Sequence, residues 1–277
     1  MKNKGLLITL LSLIGLLIVG LVTVMILFMN GKLDFENFKF MSGESINLIF
    51  EENYETELHN IKIDSDIYSI KFIHSEDEFA HVRIYSDNNK IKEVKNDGSN
   101  LDIQVREKNH IRIFNFVTPV VYIELPANFV GEFNITSDVG NVYIDEFDNA
   151  SLKISADVGN TKIKSINTIE ADADVGNITI EKVKYAFIET NTGNIKINEV
   201  NNFKLEADTG NIKIEKAYLE SDSKIKTDTG NIKIKETNDV YINAKADVGN
   251  TKVNNSNRKA DIELNIKTDT GNIKVNY

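Results

Sequence analysis

Asp208-Thr209-Gly210-Asn211-Ile212-Lys213-Ile214 decides how this chain folds, because the same phrase returns throughout the second half of the sequence. It reads Asp-(Val/Thr)-Gly-Asn, followed by an apolar–polar–apolar triplet, and it first stands at Asp138-Val139-Gly140-Asn141. Its glycines are Gly140, Gly159, Gly176, Gly193, Gly210, Gly230, Gly249 and Gly271, and one copy carries Asn191 in place of the aspartate. Subtracting positions gives spacings of 19, 17, 17, 17, 20, 19 and 22 residues. A near-constant period of this size marks a solenoid, in which no coil can bury its apolar face without a neighbour stacked on it.

Positions are counted here from the aspartate as zero. Glycine at +2 predicts a tight turn with φ > 0, such as type II. The aspartate predicts an Asx-turn that caps backbone N–H groups. Apolar residues alternate on both sides of the turn, which is the period of a half-buried strand. Position −1 is always small, from Ser137 and Ala156 to Ala246 and Thr268; position −3 is Ile, Leu or Ala; position −5 is mostly large, as in Phe133, Leu152 and Phe203. Position +9 adds Phe147, Ile166, Val183 and Val200. Stacking predicts an Asn ladder from Asn141 to Asn272 along the turns. Eight coils about 4.8 Å apart make a rod roughly 40 Å long.

The chain has 277 residues, a formal net charge of −10 and no cysteine. Leu6 to Met29 is a continuous apolar run, long enough to span a bilayer. Lys2 and Lys4 precede it, which puts the N-terminus in the cytoplasm and the remainder outside. A cleaved signal peptide is the competing reading, but Phe28-Met29-Asn30 offers no small-residue cleavage site. The expected organisation is a cytoplasmic stub and transmembrane anchor over 1–30, a linker over 31–60, an irregular antiparallel β cap over 61–130 and the solenoid over 131–277. The fold class expected is all-β: a single-stranded β-solenoid of about eight coils behind one transmembrane helix. Asn96-Asp97-Gly98 is a turn signal within the cap. The last coil, Asp269 to Val275, has nothing after it but Asn276 and Tyr277, so an open edge is expected at the C-terminus.

Catalytic motifs are absent: no Gly-x-Ser-x-Gly elbow, no phosphate-binding glycine loop and no His-Glu-x-x-His pair. His59, His74, His81 and His110 all precede the repeats without ligand spacing, and no cofactor is implied. The turn aspartates Asp138, Asp157, Asp174, Asp208, Asp228, Asp247 and Asp269 would repel one another when stacked. Turn N–H groups, neighbouring lysines or bridging Ca²⁺ could relieve this, calcium being the weakest candidate because the dense Gly-Gly-x-Gly-x-Asp pattern of calcium-binding rolls is missing. Two lysine columns mark the distal repeats: Lys213, Lys233, Lys252 and Lys274 at +5, and Lys226, Lys245 and Lys267 at −2. One reading is a solvated face that blunts flat strands; the other is a strip that contacts anions. The acidic balance and missing motifs argue against nucleic acid.

The phrase Asp-(Val/Thr)-Gly-Asn-(Ile/Val/Thr)-x-(Ile/Val), together with Val121-Tyr122-Ile123-Glu124-Leu125-Pro126 and the N-terminal apolar run, resembles the putative-adhesin family of bacterial envelope proteins with β-strand repeats. Membrane-anchored proteins of the Lia envelope-stress operon belong to the same resemblance, which covers about Ile61 to Tyr277. It implies a surface-exposed, non-enzymatic role in adhesion or envelope stress and supplies no catalytic residues. The partners expected are the membrane itself and an envelope polymer or membrane protein. Two alternatives stand beside this reading: a scaffold that self-assembles through the open C-terminal coil, and a polysaccharide-active β-helix enzyme.

Overall fold

The structure, a computed structural model, describes residues 46–86, 93–106 and 118–276. The apolar run 6–29, residues 31–45 of the expected linker and the stretch 111–116 lie outside them. Among the described residues all nineteen elements are β-strands joined in one hydrogen-bonded sheet, and no helix is long and apolar enough to cross a membrane.

The middle of the stack follows the repeat most closely. The strands there are β8 (Gly131–Val139), β9 (Val142–Val158), β10 (Thr161–Val175), β11 (Ile178–Thr192) and β12 (Ile195–Thr209). Each long strand leaves one glycine turn, bends at a second corner, and runs into the next turn one level further on. Pairing is parallel and in register, as in Ile163 with Ile180 and Ile180 with Ile197. Like residues therefore stack on like. The six inward positions of the first glycine level, Phe133, Ile135, Ser137, Val142, Ile144 and Phe147, are all buried. Burying one such Ile or Phe stabilises by about 1.5–3 kcal/mol, while ordering each residue's backbone costs about 1–2 kcal/mol. An isolated level cannot balance those terms, so the fold needs neighbours above and below. β-branched Ile suits this arrangement because it packs well on a pleated surface.

The C-terminal end departs from chain order. β12 continues onto β13 (Ile212–Ala217) and β14 (Ser223–Thr229), and β13 pairs with β15 (Ile232–Thr237). The chain then forms β16 (Tyr241–Val248) and β17 (Thr251–Val253), but these do not pair with β14 and β15. The final strands β18 (Glu263–Thr270) and β19 (Ile273–Val275) fill that place, pairing with β14 and β15 on one side and β16 and β17 on the other. The last coil of the sequence, expected at an open edge, is thus internal, with strands on both its sides, and the outer edge of the stack belongs to the earlier coil. The outermost level is β16–β17. Its inward residues Ala244 and Ala246 are smaller than Ile266 and Thr268 beneath them. The hydroxyl of Ser256 closes part of its edge, accepting from Ile242 N at 2.8 Å and donating to Ile242 O at 3.3 Å.

The N-terminal end repeats this irregularity and corrects the expected cap. β2 (Asn60–Ser65) and β3 (Ser69–His74) form a true coil, parallel to β8 and β9. Asp66-Ile67-Tyr68-Ser69 takes the place of the glycine turn there. A second coil of β6 (Asn100–Val105) and β7 (Val120–Leu125) lies outside it, although it comes later in the chain. Among the described residues the antiparallel pairings are those of β1 (Asn47–Tyr54) with β4 (Ala80–Ser86), β4 with β7, and β5 (Glu93–Asp97) with β6. β1 also shows that the expected linker is ordered from Asn47 to Tyr54. The β5–β6 hairpin turns at Gly98, φ 63°, where the Asn-Asp-Gly signal placed it. Phe72, Phe129, Phe133 and Phe147 fill the second corner at this end, with Phe72 and Phe133 centroids 4.2 Å apart.

Candidate functional site

The turn column is built by close approach. A Cβ on Gly193 would stand 1.7 Å from the carbonyl oxygen of Gly176, and a Cβ on Gly210 would stand 1.7 Å from that of Gly193. Only glycine lets successive levels come this near. This corrects the type II reading, which needs φ near about +80°. Gly159, Gly176, Gly249 and Gly271 have φ between 132° and 155°, and the other glycines of the column lie outside the +20° to +160° range. In space the column runs Gly140, Gly159, Gly176, Gly193, Gly210, Gly230, Gly271, Gly249.

Beside it runs the expected Asn ladder. Asn160 N and Nδ2 donate to Asn141 Oδ1 at 2.9 and 3.3 Å, and the pattern continues through Asn177, Asn194, Asn211, Asn231 and Asn272. It ends with Asn250 N donating to Asn272 Oδ1 at 3.1 Å. Backbone bonds link the same levels, as from Gly193 N to Thr209 O at 3.0 Å. The turn edge is therefore a continuous, satisfied polar spine.

The turn aspartates stand along this edge, and side chains approach several of them laterally. Arg106 bridges Asp64 at 2.6 Å and Asp138 at 3.1 Å, and the Asp64 hydrogen bond is the largest cause holding its guanidinium in the charged form. Asn191 donates to Asp174 at 2.7 Å. Lys226, Lys245 and Lys267 each reach the aspartate two residues on, at 2.8, 2.6 and 2.7 Å. The Lys245 hydrogen bond, helped by Lys267, lowers the Asp247 pKa, and Asp269 raises that of Lys267. Lysine neutralisation thus relieves the distal carboxylates. Among the described residues no group of three or more His, Asp or Glu converges as a metal site.

The two lysine columns lie on opposite arms of the coil. The −2 column is neutralised by the turn aspartates. In the +5 column Lys213 pairs with Glu215 at 2.5 Å, while Lys233, Lys274 and Lys252 follow one another in register toward the distal end. The histidines are local: His74 contacts Glu146 O at 2.6 Å, His81 contacts Asp77 and Asn53 at 2.7 Å each, and His110 lies outside the described residues.

The outward face of the incoming arm carries a feature that the motif reading passed over. At −4 the sequence runs Asn134, Lys153, Glu170, Phe187, Lys204, a polar column interrupted by one aromatic. Phe187 is 47% exposed and stands in a shallow groove of about 810 Å³. The single break in a polar column was the signal available in the sequence.

Parallel levels, a glycine–asparagine spine and outward polar ladders define an all-β repeat protein of the solenoid class. Its family can be stated directly: the chain belongs to the Toastrack DUF4097 family, whose model matches residues 58–277. That match begins just before β2, so the two N-terminal coils lie within the family's span. A crystal structure of a putative adhesin from Bacteroides fragilis shares the fold, with a TM-score of 0.52, 18% identity, and coverage of 84% of this chain and 99% of that one. A putative lipid binding protein from Parabacteroides distasonis gives a TM-score of 0.49 at 14% identity, covering 81% of this chain and 96% of that one. A putative cell adhesion protein from Clostridium sporogenes gives 0.31 at 17% identity, covering 83% and 99%. No curated protein sequence matches.

Proposed function

We propose that this chain is a membrane-anchored, extracytoplasmic, non-enzymatic envelope protein that holds out a stiff β-solenoid for contact with an envelope polymer or membrane-protein partner, in adhesion or in response to envelope stress. The observation that carries the reading is the regularity of the outward face. From β8 to β19 every level adds its side chains to columns continued by the levels beside it. Such a surface suits extended, repetitive contact. Stiffness comes from the interlevel Asn and backbone bonds, which tie each turn to its neighbours. The run 6–29 supplies the anchor, and Lys2 and Lys4 set its orientation. The adhesin description of the Bacteroides fragilis protein is in keeping with this role.

Two measurements test it. Labelling of single cysteines introduced into the otherwise cysteine-free chain, in intact cells, should modify positions in 131–277 from outside. Affinity capture with the full chain from solubilised envelopes should recover an envelope polymer or membrane protein. A cytosolic C-terminal half, or capture of cytoplasmic proteins alone, would overturn the reading. Turnover of polysaccharide by the purified chain would favour the enzyme alternative instead.

A further inference from the structure

We propose that the groove around Phe187 binds a neutral, β-linked glycan chain, laid along the stack with one sugar face on the Phe187 ring. This rests on the envelope-contact reading above and names the polymer class and the place. The groove is lined from β2 through β8, β9, β10, β11 and β12, so it runs across levels and not along a strand. A β-linked hexose chain advances about 5 Å per residue, close to the ~4.8 Å between levels, so successive sugars would meet successive members of the column Asn134, Lys153, Glu170, Phe187 and Lys204. Exposed aromatic rings accept the apolar C–H face of a sugar as they accept other apolar surface, and Phe187 is the one ring in its column. Polar groups surround it: Ser155 and Thr136 on one side, and two ion pairs, Lys153–Glu170 at 3.0 Å and Lys204–Glu189 at 2.9 Å, close by.

Charge decides between a neutral and an anionic polymer. The lining carries Lys62, Lys153 and Lys204 against Glu170, Asp172 and Glu189, so its formal charges cancel. A polyanion gains no net attraction here and would have to break those pairs, whereas hydroxyl and amide groups can share them. The unneutralised lysines lie elsewhere, on the other arm.

The test is calorimetric titration of the full chain, held in phospholipid nanodiscs, with β-1,4-linked N-acetylglucosamine oligomers from dimer to hexamer. Affinity should rise with oligomer length. Phe187→Ala should weaken hexamer binding by about tenfold with circular dichroism unchanged, and Phe187→Tyr should restore it. No heat with the hexamer, no dependence on length, or equal binding by Phe187→Ala would overturn the assignment. Poly(glycerol phosphate) titrated into the same samples separates the two levels of the argument. If it binds and the hexamer does not, the groove assignment fails and the envelope-contact reading stands. If neither binds and envelope capture is empty, both fail.

Discussion

The middle of this molecule and its two ends use the same coil but solve different problems. Between β8 and β12 each level follows the previous one in sequence, and like stacks on like. At each end one level is laid down out of order: β2–β3 lies inside the later β6–β7, and β18–β19 lies inside the earlier β16–β17. The contrast teaches that the turn phrase fixes what stacks on a level while leaving open which level does so. Every Gly-Asn turn offers its neighbours the same carbonyl, amide and N–H. Order then depends on connection length and on how well a level tolerates an unpaired side. Ala244, Ala246 and Ser256 suit β16–β17 to the outside, because an edge with small inward residues exposes less apolar surface.

Removing residues 263–277 breaks this arrangement most severely. Among the described residues β16 and β17 pair only with β18 and β19. Truncation after Ile262 should therefore abolish amide-exchange protection in Tyr241–Val253 as well as deleting the last coil, while β9–β12 stay protected. Stacking in chain order would instead leave β16 protected on β14, and that outcome would refute the interleaved end.

Gly193→Ala attacks the middle. Its Cβ would overlap the Gly176 carbonyl at 1.7 Å, so the levels must separate, at a cost above about 4 kcal/mol. Gly98→Ala, in the β5–β6 turn, meets open space and suffers only the left-handed φ of 63°, about 1 kcal/mol. Denaturant midpoints of the two variants should differ clearly. A Gly193→Ala midpoint no lower than that of Gly98→Ala would refute close approach as the reason for the glycine, because Gly193 has no left-handed φ to relieve.

Much of this was legible beforehand. The period, the six inward positions and the Asn ladder all followed from alternation and recurrence, because each is a property of one coil repeated. What was not legible belongs to relations between coils. Asp66-Ile67-Tyr68-Ser69 hides a turn, since Tyr68 replaces the glycine that made the others visible. The interleaved ends have no local mark beyond the small residues of β16. Of the candidate site, the lysine columns were visible as charges, but their partners were not. The pairing of Lys226 with Asp228 needs both side chains on one edge, and the reach of Arg106 to Asp138 crosses 32 residues.

Core truncation should grade the same comparison at smaller scale. Ile197 in β12 is fully buried between Ile180 and Ile214, and Ile197→Ala should cost about 2–5 kcal/mol. Ile242 on the outermost level has a neighbouring strand on one side only, so Ile242→Ala leaves a site open to water and should cost less, about 1–2 kcal/mol. Equal losses in urea midpoint would imply that something covers the β16–β17 edge.

The smallest effect concerns charge where the sequential stack gives way to its distal end. Glu215 on β13 lies between Lys213 at 2.5 Å and Lys235 of the next level at 2.5 Å, and their hydrogen bonds hold its carboxyl down at about 2 from an ordinary 4.5. A carboxyl whose folded pKa lies below its unfolded one contributes stability that is fully present above about pH 4.5 and is lost as pH falls toward about 2. Glu215→Gln should therefore flatten the stability profile within that window, by less than about 1 kcal/mol because the lysines are largely solvated. Added salt should shrink the difference further, since screening weakens exposed pairs. The variant also leaves Lys213 and Lys235 without their shared carboxylate, so it should strengthen any polyanion binding on that arm while leaving the Phe187 groove on the other arm untouched. An identical pH profile for the two proteins would show that the clamp between β13 and β15 contributes nothing to holding those levels together.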